Sequence, residues 1–406
     1  MLRLAGVGQR SHGHEPATEA SRAASFDDTR SKNISYLIGV DHLRCAAALL
    51  VLYYHGIQLF SSHVRYQRMF SPSDWRAAPD PFSALLAEGH TAVALFITLS
   101  GFIFSFGAAG RDITYRRFLG NRFLRTYPLM LFVVMAGTAI HQKSVSLWPL
   151  LQLVLGGANL NGAQWLGDFS VMLWSVSLEW QLYVLFPALM AILNRSGPKH
   201  MIMAIALLLA TRLLAYQSGL NPVHGLYSQV LGRLDQFGLG MIAGYIFARH
   251  RHHPRLAQLL VPGLVLALGG AYAFNHLGGW PHVAWWKIVT PLMEGIVWAA
   301  VTLGYLAWMD RRGPGVSWPA RAAAAVGATS YSIYLWHFVL IQAQRGLDWV
   351  PRLLSQPELN AALLVTLTTM PVTLAFAACS YHIVEKPFMT LRRRYVNEQA
   401  SVAAST

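Results

Sequence analysis

The chain has 406 residues, 54% of them hydrophobic and only 12% charged, with a mean hydropathy of +0.37, which excludes a soluble domain of ordinary composition. Its net charge of +14 is assigned to membrane topology and attraction for anionic lipid, so a basic chain implies no nucleic-acid partner here. Cys45 and Cys379 both fall in predicted spans, leaving neither a disulfide framework nor a cysteine-ligated metal site.

Residues 1–34 are polar, rich in Ser, Ala, Arg and His, and lack the apolar core of a secretory signal; they are expected to form a disordered cytoplasmic tail. Apolar stretches long enough to span follow near 39–60, 84–107, 123–141, 171–193, 200–216, 227–248, 257–274, 287–309, 322–343 and 359–384. The expected fold is an all-α, polytopic transmembrane helix bundle of about ten spans over residues 35–392, with 393–406 as a second cytoplasmic tail. Residues 147–157 are apolar but short, which fits a re-entrant or interfacial piece. Alternate loops carry 17 and 7 Lys plus Arg, a bias that puts both termini in the cytoplasm. No internal repeat and no attached soluble domain is evident, so any chemistry must use the membrane helices and their short loops.

The first span holds the most informative constellation. Arg44 and His55 lie eleven residues apart, about three helical turns, so both emerge on nearly one face roughly 16 Å apart, with Asp41 close to that face. Ionisable groups at such depth mark an interior or a watery cavity. Further on, Arg122 and Arg125 are three apart at the cytoplasmic boundary. Their forks suit a phosphate-bearing ligand, although arginines are also ordinary at that boundary. Glu179 shares a helical face with Ser175 and Tyr183, which favours a polar pocket over a solvated interface.

The sixth stretch carries Arg233 and Asp235 two apart; mutual compensation and a polar passage through the bundle are both open readings. The ninth carries Ser330-Tyr331-Ser332-Ile333-Tyr334-Leu335-Trp336-His337, readable as an aromatic packing face with a hydrogen-bonded interior histidine. Glu385-Lys386 before Pro387 reads as an interface pair. Arg249-His250-Arg251-His252-His253 invites a metal reading, but with no nearby carboxylate or cysteine it is expected to be a solvated basic turn.

Taken in order, these motifs resemble the acyltransferase-3 family of integral-membrane O-acyltransferases, which O-acylate sugars, polysaccharides, lipids or antibiotics. Asp41-x-x-Arg44 with His55 is similar to the family's first-span signature of Arg, ten residues, His. Ser100-Gly101-Phe102, then Arg122-x-x-Arg125-x-Tyr127-Pro128, then Trp174-Ser175 through Glu179 and Tyr183, follow its order. Ser330 through His337 and Glu385-Lys386-Pro387 complete the set, and the likeness covers most of the chain after residue 34. Two departures stand out. The family often has two adjacent acids where this chain has Glu179-Trp180, so a role needing both does not transfer. Some relatives carry an extracytoplasmic hydrolase-like domain; here the membrane part is expected to bind the final acceptor itself.

The resemblance implies an acyl-coenzyme A co-substrate, expected to be acetyl-CoA, no metal, and a glycan or glycolipid acceptor met in the cytoplasmic (inner) membrane of a bacterium among membrane lipids. Arg44, Arg122, Arg125 and Tyr127 are then expected to bind the coenzyme, and His55, with Glu179 and Asp41, to carry catalysis. Ser100, Trp174, Tyr331, Ser332, Tyr334 and His337 are expected to line the pocket, with Tyr331 or Ser332 donating to the thioester oxygen. His55 acts either as general base towards the acceptor hydroxyl or as a nucleophile that is itself acylated. The competing class is a transporter or channel whose buried Asp, Arg and His line a path; the absence of inverted repeats argues against it.

Overall fold

The computed structural model describes residues 31–223, 225–313 and 315–398; the expected terminal tails lie outside the described residues except at 31–34 and 393–398. The chain is helical almost throughout. Its long helices are α1 (Ile38–Tyr66), α2 (Thr91–Ala108), α3 (Tyr115–Ile140), α4 (Leu173–Ser196), α5 (Pro198–Gln217) and α6 (Val230–His250). They continue as α7 (Leu260–His276), α8 (Thr290–Arg312), α9 (Trp318–Ala328), α10 (Ser330–Gly346) and α11 (Pro357–Thr390).

Eight of these, α1 to α5, α7, α8 and α11, are each long and apolar enough to cross a membrane, and large apolar side chains such as Met135, Leu207 and Val261 stay uncovered on them. The other two predicted spans differ. Helix α6 has spanning length but carries Arg233, Asp235 and Gln236 inside, and α9 with α10 is long and apolar enough only as a pair bent by 71°. The second predicted span, 84–107, is also broken: a short helix Pro81–Ala87 stops at Glu88, and α2 starts afresh at Thr91.

Local chemistry sets the ends. Gly197 takes φ 75° after α4, a conformation easy only for glycine, and Pro198 then opens α5, so the two spans join through one residue. Helix α11 is interrupted by π turns at Val365–Thr369 and Tyr381–Glu385. Such turns shift the face a helix presents, and the second ends on Glu385.

The core forms around α1, α2 and α6. Helices α2 and α6 approach backbone to backbone: a β-carbon on Gly101 would stand 2.2 Å from the Phe237 carbonyl oxygen, and one on Gly240 2.1 Å from that of Thr98. Without hydrophobic drive inside lipid, small residues that permit close van der Waals contact are what hold such helices together. Helix α9 abuts α1 in the same way, through Gly327 against the Asp41 carbonyl.

Residues 393–398, expected to be part of a polar tail, are in fact anchored. Strand β1 (Arg111–Ile113) pairs antiparallel with β2 (Val396–Glu398), and Tyr395 and Val396 are buried. The Tyr395 amide donates to Asn33 Oδ1 at 2.8 Å, and Asn121 exchanges hydrogen bonds with the backbone of Arg393.

Gly240→Val should lower the melting temperature in detergent by forcing α2 and α6 apart, at a cost of roughly 1–3 kcal/mol by the usual penalty of overpacking. Gly269→Ala, where nothing lies within 4 Å of the new carbon, should leave it unlowered.

Candidate active site

Helix α1 is unbroken from Ile38 to Tyr66, so Asp41, Arg44 and His55 keep the single-face arrangement that the sequence implies. Arg44 donates to Asp41 Oδ1 at 3.0 Å, a one-turn ion pair that neutralises the guanidinium. Asp41 therefore serves Arg44, three turns from the imidazole, and does not touch His55.

The partner of His55 comes from α10. His55 Nδ1 lies 3.0 Å from His337 Nε2, and His337 Nδ1 lies 3.1 Å from the Ile333 carbonyl. A carbonyl only accepts, so His337 carries its proton on Nδ1 and offers the lone pair of Nε2. For two neutral rings His55 must then be protonated on Nδ1, which leaves its Nε2 as a lone pair that no described residue takes up. Phe338 stands edge-on to His55 at 5.3 Å and Tyr54 tilts against it at 4.7 Å.

Glu179, expected to share in catalysis with His55, makes no hydrogen bond to this imidazole; it accepts from Ser100 Oγ at 3.0 Å. The Ser100 and Glu179 motifs thus meet each other across α2 and α4. Ser175, one turn before Glu179, pairs with the Tyr334 hydroxyl at 2.7 Å. Trp174 tilts against Tyr227 at 5.1 Å, and Tyr334 against His337 at 5.7 Å.

Tyr331 and Ser332 do not fit an oxyanion role. The Tyr331 hydroxyl donates to the Thr126 carbonyl at 2.8 Å, and fully buried Ser332 donates to Glu385. Each hydroxyl has one proton and each is committed. Tyr127 also packs instead of reaching into a site, stacked on Phe123 at 4.4 Å and edge-on to Trp180 at 5.0 Å.

The two arginines of α3 have opposite fates. Arg125 is ion-paired with Glu385, which the π turn of α11 turns inward, so this acid is a buried counter-ion and not an interface residue. Arg122 has no acid. Its guanidinium lies over the rings of Phe104 at 4.8 Å, Phe118 at 5.6 Å and Tyr183 at 6.0 Å, and its buried Nε has no partner. Arg392 joins them from beyond the last span: burial, then the repulsion of Arg122, Arg125 and Arg44, pushes it down to about 9. Arg44, Arg122, Arg125 and Arg392 therefore lie close enough to act on one another, and among the described residues Asp41 pairs with Arg44 and Glu385 with Arg125, which leaves Arg122 as the guanidinium suited to an anion. A separate cavity of about 530 Å³ is lined by Lys32, Asn33, Arg111 and Arg394 and holds none of the predicted site residues.

Other buried charges are structural. Asp235 pairs with Arg212 of α5 at 2.7 Å, not with Arg233, because residues two apart on a helix face away from each other. Arg233 instead reaches Glu294 at 3.5 Å and lies over Tyr227. In the His-rich turn a carboxylate is near after all: Asp310 of α8 stands 3.3 Å from His252.

Sequence reasoning missed a second acid–imidazole pair. His90 Nε2 lies 3.0 Å from Glu88 Oε2, and Asn275 donates to Glu88 Oε1 at 3.1 Å. Both acid and imidazole are buried, and the signal was present: two ionisable residues inside a predicted span call for a partner or a function. Nearby, Lys287 donates to the carbonyls of Gly279 and Trp280, and burial pushes it down to about 8, with Glu88 opposing.

Compared with known proteins, residues 37–381 match a family model described as an acyltransferase domain, acyltransferase-3. Acyltransferase MdmB of Streptomyces mycarofaciens is similar at 23% identity over 377 residues, covering 85% of this chain and 92% of that protein. No solved structure matches the chain.

Two measurements test these pairings. Glu385→Ala should destabilise the bundle by about 3–5 kcal/mol, the cost of leaving Arg125 buried and unpaired, while Arg125→Met in the same chain recovers most of it in thermal melts. For Lys287, the native amine loses its proton near 8 and the unfolded one near 10.5, so the unfolded state binds more protons between them and stability rises with pH across that window. Lys287→Met should flatten this rise when its melts are compared with wild type.

Proposed function

We propose, from the premise that this chain belongs to the acyltransferase-3 family, that it is a membrane O-acyltransferase taking an acyl group, acetyl in the first instance, from acyl-coenzyme A to a hydroxyl of a saccharide-containing acceptor. The observation that carries this reading is the pairing on α1: a guanidinium cluster around Arg44 and, three turns on, an imidazole whose Nε2 lone pair is left open by His337. The rise between them, roughly 16 Å, is comparable with the reach of a pantetheine arm. Arg122, with no acid partner among the described residues, is the guanidinium with most to gain from a phosphate, whose oxygens match its fork. Arg44 is already neutralised by Asp41 and Arg125 by Glu385, so neither competes with Arg122 for that phosphate.

His55 is the residue assigned to the chemistry, either as base towards the acceptor hydroxyl or as the nucleophile that receives the acyl group. His337 is a positioning residue: it holds the tautomer that keeps Nε2 available. The excess of Lys and Arg in alternate loops supports cytoplasmic termini and so a donor that enters from the cytoplasm, in a bacterial inner membrane.

His55→Ala, reconstituted in lipid, should lose coenzyme A release from acetyl-CoA by about 10²–10⁴-fold, the usual worth of such a group. Arg122→Ala should chiefly raise the KM for acetyl-CoA and leave kcat near wild type. Full activity of His55→Ala at wild-type expression would overturn the assignment.

A further inference from the structure

We propose that His90, backed by Glu88, is the base that takes the proton of the acceptor hydroxyl, an inference that rests on the acyl-transfer reading and divides its chemistry between two imidazoles. The placement comes from Gly89. A β-carbon there would stand 2.5 Å from Tyr54 Cβ and 2.8 Å from the Leu50 carbonyl, so α2 begins at the depth of His55 and not at the level where α1 ends. Tyr54 lies between the two imidazoles, its ring 4.7 Å from His55 and 5.8 Å from His90.

The pair has the form that hydroxyl activation requires. A carboxylate only accepts, so Glu88 fixes the His90 proton on Nε2 and leaves Nδ1 as the lone pair. That Nδ1 is buried and has no partner among the described residues. An acceptor atom sealed from water calls for a donor, and a purely structural histidine would be expected to have one. The ring is gripped edge-on by Tyr54, Tyr227 and Phe274 at 5.8, 5.8 and 5.7 Å, and Asn275 holds the other oxygen of Glu88. Nothing in this cluster supplies a proton to Nδ1; a substrate hydroxyl does. The charged or titratable groups facing the pair are Tyr54 and His55 of α1, Tyr227 before α6, and Lys287 before α8.

With His90 as base, His55 is the acyl carrier. Its Nε2 attacks the thioester carbon, a C–N bond forms, the C–S bond breaks and the coenzyme leaves as its thiolate. The acceptor oxygen then attacks the same carbon; its O–H proton passes to His90 Nδ1, the C–O bond forms and the C–N bond breaks, with the electron pair returning to His55. The imidazolium of His90 is stabilised by the Glu88 carboxylate until its proton passes to water and so to the thiolate.

The test uses membranes of cells lacking the wild-type gene and expressing wild type, His90→Gln, Glu88→Gln or His55→Ala, supplied with radiolabelled acetyl-CoA. Label entering membrane esters reads transfer to the native hydroxyl, and acetylhydroxamate formed with added hydroxylamine reads acylation of the enzyme by a nucleophile that needs no base. His90→Gln is expected to lose ester labelling by about 10²–10⁴-fold while hydroxamate formation is retained. Glu88→Gln, which keeps a hydrogen bond to the ring, should lose less and shift the pH profile of ester labelling alone. Equal loss of both products in His90→Gln and in Glu88→Gln overturns the role of His90 and leaves the acyl-transfer reading intact. Wild-type membranes that form neither product above the His55→Ala background overturn that reading itself, and this inference with it.

Discussion

A charge held in hydrocarbon needs an opposite charge or a strong dipole beside it, and the way this chain pairs its buried charges across helices decides how the helices sit. Arg212 with Asp235 ties α5 to α6, Arg233 with Glu294 ties α6 to α8, and Arg125 with Glu385 ties α3 to the end of α11. Each link joins elements distant in sequence and specifies register where apolar packing alone would tolerate sliding. Against that pattern Arg122 stands out. It has aromatic faces where its neighbours have acids, so its electrostatic requirement is incompletely met by the protein.

The close approach of α2 to α6 has a second effect besides cohesion. Because Gly101 and Gly240 bring backbones into contact, the start of α2 is fixed in depth, and with it the short break that carries Glu88, Gly89 and His90. Two imidazoles from different helices thereby flank one tyrosine in the interior, that of His55 paired with His337 and that of His90 with Glu88. Aromatic groups, Trp174, Tyr227, Tyr334 and Phe338, surround them, with polar groups such as Glu88, Asn275 and Ser175 between.

Much of this was legible in the sequence, and the limits have physical causes. Helix periodicity sufficed for the face shared by Asp41, Arg44 and His55, because α1 is a single unbroken helix and local geometry carries across three turns. Partners between helices were another matter. Nothing local distinguishes Arg125, which meets Glu385, from Arg122, which meets no acid among the described residues, since the π turn that aims Glu385 is a tertiary outcome. The imidazole partner of His55 is likewise 282 residues away in His337, beyond the reach of helix periodicity. The broken second span escaped because hydropathy averages over a window and passes across one glycine, although the ionisable residues on either side of it were visible.

The small sheet of β1 and β2 joins chain segments made far apart in time. Asn33 receives the amide of Tyr395, 362 positions downstream, and that same segment carries Arg392 beside Arg122. Spans can enter the bilayer one after another as they emerge from the ribosome. This closure, by contrast, cannot lock until synthesis has passed the last long helix, so a nascent chain stays unlatched at Asn33 and Asn121 until then.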